Sequence, residues 1–200
     1  TRAVHTYAAN SVLQNGTWYK IGLQKDGIYK LSYSFLQNMG IDIASINPQH
    51  IRIYGNGGGM LPELNSVQRP DDLVENAVYV EGESDGVFDQ NDYVLFYGKG
   101  ANGWTYNSAA CPKFGHTLNL YSDSAYYFIT TDLGAGKRIQ PQASSTSSPT
   151  NQVASFDDYS FHENSIINFL KSGREWFGEY FDNTSSYNFS FSFPNIDVAS

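Results

Sequence analysis

The sequence predicts a mainly β fold, a β-sandwich-like module with short helical turns. Aromatic residues make up 16% of the 200 residues, and aromatic side chains fit the pleated, half-buried surface of a sheet. Eighteen glycines, with abundant Asn, Asp and Ser, supply the turns that short strands need. Short apolar segments recur along the first 139 residues with turn residues between them, which is typical of a sandwich or a barrel.

Two short strands, residues 18–21 and 28–31, are predicted to pair as a hairpin near the start of the chain. The link between them contains Asp26-Gly27, and an Asp-Gly pair adopts the positive φ angle of a tight hairpin turn at little cost. A short helix is predicted over residues 33–39, capped by the hydroxyl of Ser32 and ended by the glycine that follows.

Further strands are predicted where apolar residues alternate or cluster between turns. Residues 50–54 follow an Asn-Pro turn, and the glycine-rich stretch 55–65 after them is expected to be a loop. Residues 71–75 follow a proline and are expected to form a helical turn. The other predicted strands are residues 77–80, 93–97, 118–121 and 125–131.

The composition changes after residue 139 and divides the chain into a β domain (1–139) and two further parts. Residues 140–152 contain no apolar residue larger than Ala143, which predicts a Ser/Thr/Gln-rich linker or an exposed loop. Residues 153–200 are a closing segment, interpreted as the start of a following β domain. Its aromatic residues alternate over 187–193, which predicts a strand whose partner lies in the first sheet or outside this sequence.

Net charge and cysteine content argue against several classes of function. The formal net charge is −8, and an acidic chain lacks the basic field that displaces counterions from nucleic acid. Cys111 is the single cysteine, so neither an internal disulfide nor a CxxC metal site is expected. The sequence contains no run of 18 apolar residues, so no membrane span is predicted. The first ten residues lack the apolar core of a signal peptide.

An acidic stretch between residues 82 and 92 raises the question of a calcium site. Counted from Asp85, the spacing fails the EF-hand pattern, because a glutamine and a phenylalanine stand where Gly and Glu are required. A looser calcium site formed by Asp85, Asp89 and Asp92 is one interpretation. The alternative is a tight turn in which these carboxylates accept hydrogen bonds from neighbouring backbone N–H groups.

Two other motifs resemble reactive sites but depart from them in detail. The stretch GNGGGM at 55–60 follows a predicted strand, yet Met60 stands where a dinucleotide fingerprint needs glycine, and Pro62 falls in the helix that should follow. We interpret it as a glycine turn. Cys111 has His116 five residues away but no nucleophile elbow around it, so we interpret it as a small apolar residue without a catalytic role.

Charged and aromatic side chains mix in SGREWFGEYFD, residues 172–182. Such stretches form protein contacts or sugar-stacking platforms. Arg174, Glu175, Trp176 and Glu179 are therefore a candidate interaction surface. The alternative is an amphipathic strand in which Arg174 pairs with a neighbouring carboxylate or carbonyl group.

Four strings within residues 17–182 carry a resemblance: WYKIGLQKDGIYKL, INPQHIRIYGNGGGMLPE, RPDDLVENAVYVEGESDGVFDQNDYVLFYGKG and SGREWFGEYFD. They resemble the N-terminal, non-catalytic region of gingipain-like cysteine peptidases of Bacteroidetes, in particular the sortases of the type IX secretion system. The resemblance implies a place at the outer-membrane surface, removal of the C-terminal signal of exported cargo, and coupling of that cargo to lipopolysaccharide. The Cys–His pair of the family lies in a downstream domain, so none of its catalytic residues falls on this chain.

The resemblance implies an accessory module without enzymatic activity of its own. No cofactor is expected, apart from the Ca²⁺ that one interpretation of the acidic stretch would bind. The module would support the downstream cysteine peptidase domain of the same polypeptide and contact secreted cargo or outer-membrane secretion components. One alternative is a carbohydrate- or lipopolysaccharide-binding module that stacks sugars on Trp18, Trp104 and Trp176. Another is an inhibitory prodomain of the peptidase.

Overall fold

The computed structural model describes residues 7–107, 113–155, 160–171 and 175–197. The chain separates into two compact units, residues 1–141 and 142–200. Three antiparallel sheets, one short α-helix and several 3₁₀ turns make up the regular structure of the described residues. The predicted mainly β class is therefore confirmed.

All strands of the described residues lie in the first unit. They are β1 (Tyr19–Leu23), β2 (Gly27–Ser32), β3 (Arg52–Tyr54), β4 (Glu75–Asn76), β5 (Tyr79–Glu81), β6 (Tyr93–Gly98), β7 (Gly103–Asn107), β8 (Lys113–Thr117) and β9 (Ala125–Thr130). The single α-helix of the described residues, α1, spans Tyr33–Asn38. Short 3₁₀ turns lie at Val12–Gln14, Ile43–Ser45, Pro48–His50 and Glu83–Asp85.

Two sheets share one hydrophobic core. Sheet A has the strand order β1-β9-β3-β4 and sheet B the order β2-β6-β5, while β7 and β8 form a separate two-stranded ribbon. Alternate residues of both sheets enter the same buried cluster, which places Ile53 and Ile129 of sheet A with Val94 and Phe96 of sheet B. Each large apolar side chain buried in this way stabilises the fold by about 1.5–3 kcal/mol.

The predicted hairpin between the first two strands is wrong, although both strands exist. β1 pairs with β9 in sheet A, and β2 pairs with β6 in sheet B. The Asp26 carboxylate does not close a hairpin turn but accepts the Gly100 N–H at 2.7 Å. Leu23 extends over Gly98, where an added Cβ would lie 2.2 Å from its Cδ1. The link between β1 and β2 therefore carries the chain from one sheet to the other.

Helix α1 confirms the sequence prediction at both ends. The Ser32 hydroxyl accepts the N–H of Phe35 at 3.2 Å, which satisfies one of the donors that a helix start leaves open. Leu36 is fully buried and holds the helix against the core. The chain turns away after Met39 because Gly40 adopts φ +88°, a left-handed conformation that favours glycine.

Two predicted elements are replaced by turns held by side chains. Residues 71–75 form no helical turn, because the Asp72 carboxylate binds the N–H groups of Val12 and Leu73 and the chain then enters β4. Residues 118–121 form no strand, because Asn119 Oδ1 accepts N–H groups from the two turn residues Tyr121 and Ser122. Asp and Asn side chains compete with regular backbone pairing in this way.

The sequence analysis did not predict the two strands of the ribbon, β7 and β8. Trp104 lies opposite His116 with ring centroids 4.5 Å apart, and Tyr106 lies opposite Phe114 at 5.1 Å. These cross-strand aromatic pairs stabilise a two-stranded ladder. Turn residues and a cysteine separate the two halves in the sequence and obscure this alternation.

The second unit contains little backbone pairing among its described residues. Residues 140–155 carry no helix or strand, and their side chains are exposed. One antiparallel bridge joins Ile167 and Phe177. The strand predicted over residues 187–193 does not form, because none of the described residues pairs with it. Alternation of side chains alone does not make a strand when a partner backbone is missing.

Candidate functional site

The acidic stretch folds into a turn held by its own carboxylates. Two left-handed glycines, Gly82 at φ +84° and Gly86 at φ +82°, flank the 3₁₀ turn. Asp85 Oδ1 accepts the N–H of Val87 at 2.9 Å, and Asp89 Oδ1 accepts the N–H of Asn91 at 2.8 Å. These bonds match the interpretation of this stretch as a turn closed by side-chain acceptors.

Asp92 anchors the turn to the fold. Its side chain is buried, and its Oδ2 accepts the N–H of Asp89 at 2.8 Å. Gly82 passes so close that an added Cβ would lie 1.9 Å from Asp92 Oδ1. Beneath the turn, Phe88 is buried and its ring stacks on that of Tyr33 with centroids 6.4 Å apart.

Calcium binding by Asp85, Asp89 and Asp92 stays a prediction. Within the four described ranges, no three His, Cys, Asp or Glu side chains come together closely enough to hold a metal ion. Each of the three carboxylates already binds a backbone N–H. Their arrangement accounts for the shape of the turn without an ion.

Arg138 joins the acidic turn to the end of the first unit, and sequence reasoning did not single it out. Its Nε donates to Glu83 Oε2 at 2.7 Å. Its terminal nitrogens donate to the carbonyl groups of Ile51 (3.2 Å), Pro48 (3.0 Å) and Gln49 (2.8 Å). A planar guanidinium with five donors suits such a convergence of acceptors.

The backbone around Arg138 is fixed as well. Val78 N–H donates to the carbonyl of Lys137, Ile139 N–H donates to the carbonyl of Val78, and both distances are 3.0 Å. Gly136 N–H donates to the carbonyl of Gln49 at 2.9 Å. Arg138 thus forms a parallel bridge with Val78, the residue just before β5. We call the segment 136–139 the clasp.

A second arginine holds the chain just before the clasp. Arg52 binds Glu75 with both ends of its guanidinium, Nε to Oε1 at 3.0 Å and Nη2 to Oε2 at 2.6 Å. Arg52 also donates to the carbonyl of Leu133 at 2.9 Å, and Glu75 accepts the N–H of Lys137 at 2.7 Å. Burial acts to raise the pKa of Glu75, but the hydrogen bonds from Arg52 and Lys137 outweigh it and hold that pKa below its usual value.

The glycine loop packs on an aromatic residue, and residues 60–74 after it contain no helix of the kind that a dinucleotide fingerprint needs. Gly57 adopts φ +52°, and a Cβ there would lie 2.2 Å from the hydroxyl of Tyr127. That hydroxyl accepts the N–H of Lys99 at 2.8 Å, and Gly58 N–H donates to the carbonyl of Gly100 at 3.1 Å. The glycines let the loop approach the end of β6, which supports the interpretation as a turn.

The outer face of sheet B carries apolar side chains where an antiparallel sheet usually presents polar ones to water. Ile28 lies opposite Tyr97, and Tyr79 lies opposite Leu95, with Tyr93 next along β6. Ile28 is 76% exposed, Tyr97 54% and Tyr79 43%. We call these five residues the outer band. The uninterrupted apolar run of β6 is the feature of the sequence that indicates the outer band. Such a run places apolar residues on both faces of a strand.

Two tyrosines of the outer band, Tyr93 and Tyr79, have polar neighbours. Lys30 Nζ lies 4.0 Å from the centroid of the Tyr93 ring, and the Tyr79 hydroxyl donates to the Glu81 carboxylate. Trp18, named for the carbohydrate alternative, donates to the carbonyl of Asn15 at 2.7 Å and packs edge-on against Tyr54.

The predicted interaction surface lies in the second unit and is described in part. Arg174 lies outside the described residues, while Glu175 and Trp176 are exposed. Glu179 does not point freely into solvent, because its Oε1 lies 2.6 Å from His162 Nε2. The hydrogen bond with His162 lowers the pKa of the Glu179 carboxyl.

Cys111 also lies outside the described residues, so the interpretation that it has no catalytic role stays a prediction. In the described part of the chain, no helix is both long and apolar enough to cross a membrane.

Comparison with known proteins finds a similarity among the solved structures. No protein-family model matches the chain, and no curated protein matches it. The fold is similar to part of a solved structure. That structure is dimeric latent PorU from Porphyromonas gingivalis, with 30% sequence identity and a TM-score of 0.55. The match covers 76% of this chain but only 13% of the PorU chain. The chain therefore resembles a small region of PorU.

Proposed function

We propose that this chain is the accessory, non-catalytic N-terminal β module of a cell-surface sortase of the type IX secretion system. The similarity to PorU carries the proposal, because 76% of this chain matches a region that makes up only 13% of that protein. Because the matched region is so small a part of PorU, a separate peptidase domain can lie elsewhere in the same polypeptide. The proposed location is extracytoplasmic, at the outer-membrane surface.

The first unit has the properties of a rigid support. Its two sheets share one core, and Arg52 and Arg138 fasten the segment that leads out of the unit. Fastening of this kind fixes the direction in which the chain leaves the sheets.

The outer band supports a docking role for sheet B. We propose that it packs against the downstream peptidase domain, since the two belong to one polypeptide. Tyrosines are enriched at protein interfaces, where their rings give contact area and their hydroxyls give hydrogen bonds. Ile28 and Tyr97, the most exposed members, are directly opposed and would lie at the centre of this contact.

Substitutions in the full-length polypeptide test this proposal. Ile28→Ser with Tyr97→Ser removes apolar area from the outer band without touching the core. We expect at least a fivefold loss of cargo attached at the cell surface, at unchanged abundance of the protein. Tyr121→Ser is the matched control, because Tyr121 is 82% exposed and lies outside the band.

Unchanged cargo attachment in the doubly substituted protein would overturn the docking role. An increase in peptidase activity would instead support an inhibitory prodomain and contradict the scaffold. Adding the isolated chain to the catalytic domain in trans separates the two in the same way, since only an inhibitor lowers the rate.

A further inference from the structure

Residues 142–148 form an exposed stretch that begins where the first unit ends. The first unit closes at residue 141 and the second begins at residue 142. The stretch has the sequence QASSTSS, lies between Pro141 and Pro149, and exposes every one of its side chains. After Gln142 it contains only Ala, Ser and Thr, so its surface consists of small uncharged groups. We call residues 142–148 the Ser/Thr segment.

The backbone of the Ser/Thr segment is open to an external partner. Among the described residues, no backbone–backbone hydrogen bond reaches residues 140–155. Within the segment the Ser147 N–H donates to the Ser145 hydroxyl at 3.3 Å, a bond between near neighbours. Exposed stretches of small polar residues are preferred sites of proteolysis. A protease that binds this stretch as an extended strand, by β-strand addition, therefore disrupts no helix or sheet.

The clasp protects the chain on the N-terminal side of the Ser/Thr segment. Arg138 donates to Glu83 at 2.7 Å, and the Ile139 N–H donates to the carbonyl of Val78 at 3.0 Å. Cleavage inside the clasp would require these bonds to break first. A cut after residue 142 leaves all of them within the first unit, which therefore keeps its fold.

The described residues on the C-terminal side also bind one another. Ile167 and Phe177 exchange backbone hydrogen bonds of 3.0 and 2.8 Å. His162 Nε2 lies 2.6 Å from Glu179 Oε1. None of these contacts involves the Ser/Thr segment, so a cut there breaks none of them.

The side chains of the Ser/Thr segment indicate a class of endopeptidase. Residues 139–156 contain no charged side chain, so a protease whose specificity pocket binds a charged group has no target there. A small specificity pocket accepts Ala, Ser or Thr. Proline lacks an N–H and fixes φ, which makes the Ser148-Pro149 bond a poor substrate. The bonds between Ala143 and Ser148 remain.

We propose that the Ser/Thr segment is a processing site, at which an extracytoplasmic endopeptidase with a small specificity pocket separates the first unit from the residues that follow. Water is the second reactant. The C–N bond of one peptide group breaks, the carbonyl carbon gains a hydroxyl group, and the nitrogen gains a proton. The extracytoplasmic setting rests on the proposed function. After the cut, contact with the peptidase domain depends on the outer band instead of the covalent link.

Pancreatic elastase, which has a small specificity pocket, tests the site on the 200-residue chain. We expect the first cut between residues 143 and 148, identified from the fragment masses. The first unit should unfold at the same temperature before and after this cut, because the clasp stays with it. A first cut elsewhere, such as in the exposed loop at residues 60–70, would overturn the proposal. Unfolding of the first unit on cleavage would also overturn it.

Two matched triple variants test which bonds are cut. Ser144→Pro, Thr146→Pro and Ser148→Pro together place a proline at every bond between residues 143 and 148. We expect elastase to cut this variant within the segment at least tenfold more slowly. Alanine at the same three positions keeps the small side chains and the backbone N–H groups, so its cleavage rate should match that of the parent. Equal rates in the proline and alanine variants would contradict the site.

The full-length polypeptide, isolated from the cell that naturally produces it, tests whether processing occurs. We expect mass spectrometry to find chain ends between residues 143 and 148, and we expect the proline variant to lack them. A segment that is intact in every chain would overturn the proposal even if elastase cuts the 200-residue chain.

This readout is independent of sortase activity. If the segment is cut but the substitutions in the outer band leave cargo attachment unchanged, the docking role fails and the processing site stands. If attachment depends on the outer band but the segment stays intact, the processing site fails and the docking role stands.

Discussion

Arg138 donates through Nε to the carboxylate of Glu83 at 2.7 Å, across 55 positions of the sequence. The pair is largely buried, with 18% of the arginine side chain and 30% of the glutamate side chain exposed. It ties the acidic turn to the clasp, the segment by which the first unit ends. The turn is therefore part of the support proposed for the following domain.

Replacing Arg138 should destabilise the first unit. In Arg138→Met the carboxylate of Glu83 and the carbonyl groups of Pro48 and Gln49 lose a charged donor. We expect a loss of about 2–4 kcal/mol in the free energy of unfolding, measured by urea denaturation. Lys137→Met is the control, because the contacts of Lys137 are made by its backbone. Equal stability of the two variants would contradict the role of the clasp.

The two left-handed glycines of the acidic turn should respond differently to alanine. Gly82→Ala adds a Cβ that would lie 1.9 Å from Asp92 Oδ1, whereas nothing lies within 4 Å of a Cβ at Gly86. Both substitutions carry the conformational cost of positive φ, about 1–2 kcal/mol. We therefore expect Gly82→Ala to lower the thermal midpoint clearly more than Gly86→Ala. Similar midpoints would show that Asp92 moves aside freely.

Stability should depend on pH through carboxylates that accept hydrogen bonds. The pKa of Glu75 is held low by Arg52 and Lys137, that of Asp72 by the N–H groups of Val12 and Leu73, and that of Asp132 by Thr130. A carboxyl whose pKa is lower in the folded state stabilises the fold above its unfolded pKa, and this contribution is lost as the pH falls.

Urea midpoints should therefore change little between pH 7 and 5 and fall below about pH 4.3, the usual pKa of a glutamate. Glu75→Gln should be less stable than the parent at pH 7, with a smaller difference at pH 3.5. A difference that is the same at both pH values would exclude a contribution from the ionised carboxylate.

Calcium dependence separates the two interpretations of the acidic turn. Because Asp85, Asp89 and Asp92 each bind a backbone N–H, we expect the thermal midpoint to be unaffected by EDTA or by added CaCl₂. Asp92→Asn should lower the midpoint equally with and without calcium. A rise in the midpoint with calcium that Asp92→Asn abolishes would establish the calcium site and contradict the turn-only account.

Local sequence signals were sufficient where the interactions themselves are local. Ser32 and the glycine after α1 mark that helix because a cap acts within a few residues. The strands around Tyr93 and Tyr127 follow from dense aromatic and β-branched residues. Local signals were insufficient for pairing, since the Asp-Gly link at 26–27 suits a hairpin but joins strands of different sheets. The pairing involves residues far apart in the sequence, such as Leu23 with Ala125 and Ile28 with Tyr97, which local signals do not encode.

The clasp shows why part of the site could not be predicted. Glu83 and Arg138 belong to no motif, and their proximity follows only after β5 and the segment 136–139 have come together. The acidic turn was easier to predict from the sequence, because Asp side chains accept hydrogen bonds from backbone N–H groups two or three residues away. The sequence thus identified which residues shape the turn but not what the turn is fastened to.

The central claim is that this chain supports chemistry performed elsewhere in the polypeptide. The most direct test is Cys111→Ser in the full-length protein, with cleavage of the cargo C-terminal signal as the measurement. Unchanged cleavage is expected, because the proposed function assigns the reaction to a downstream peptidase domain and not to the thiol of this chain. Loss of cleavage in a protein of unchanged abundance, circular dichroism and thermal midpoint would contradict the account.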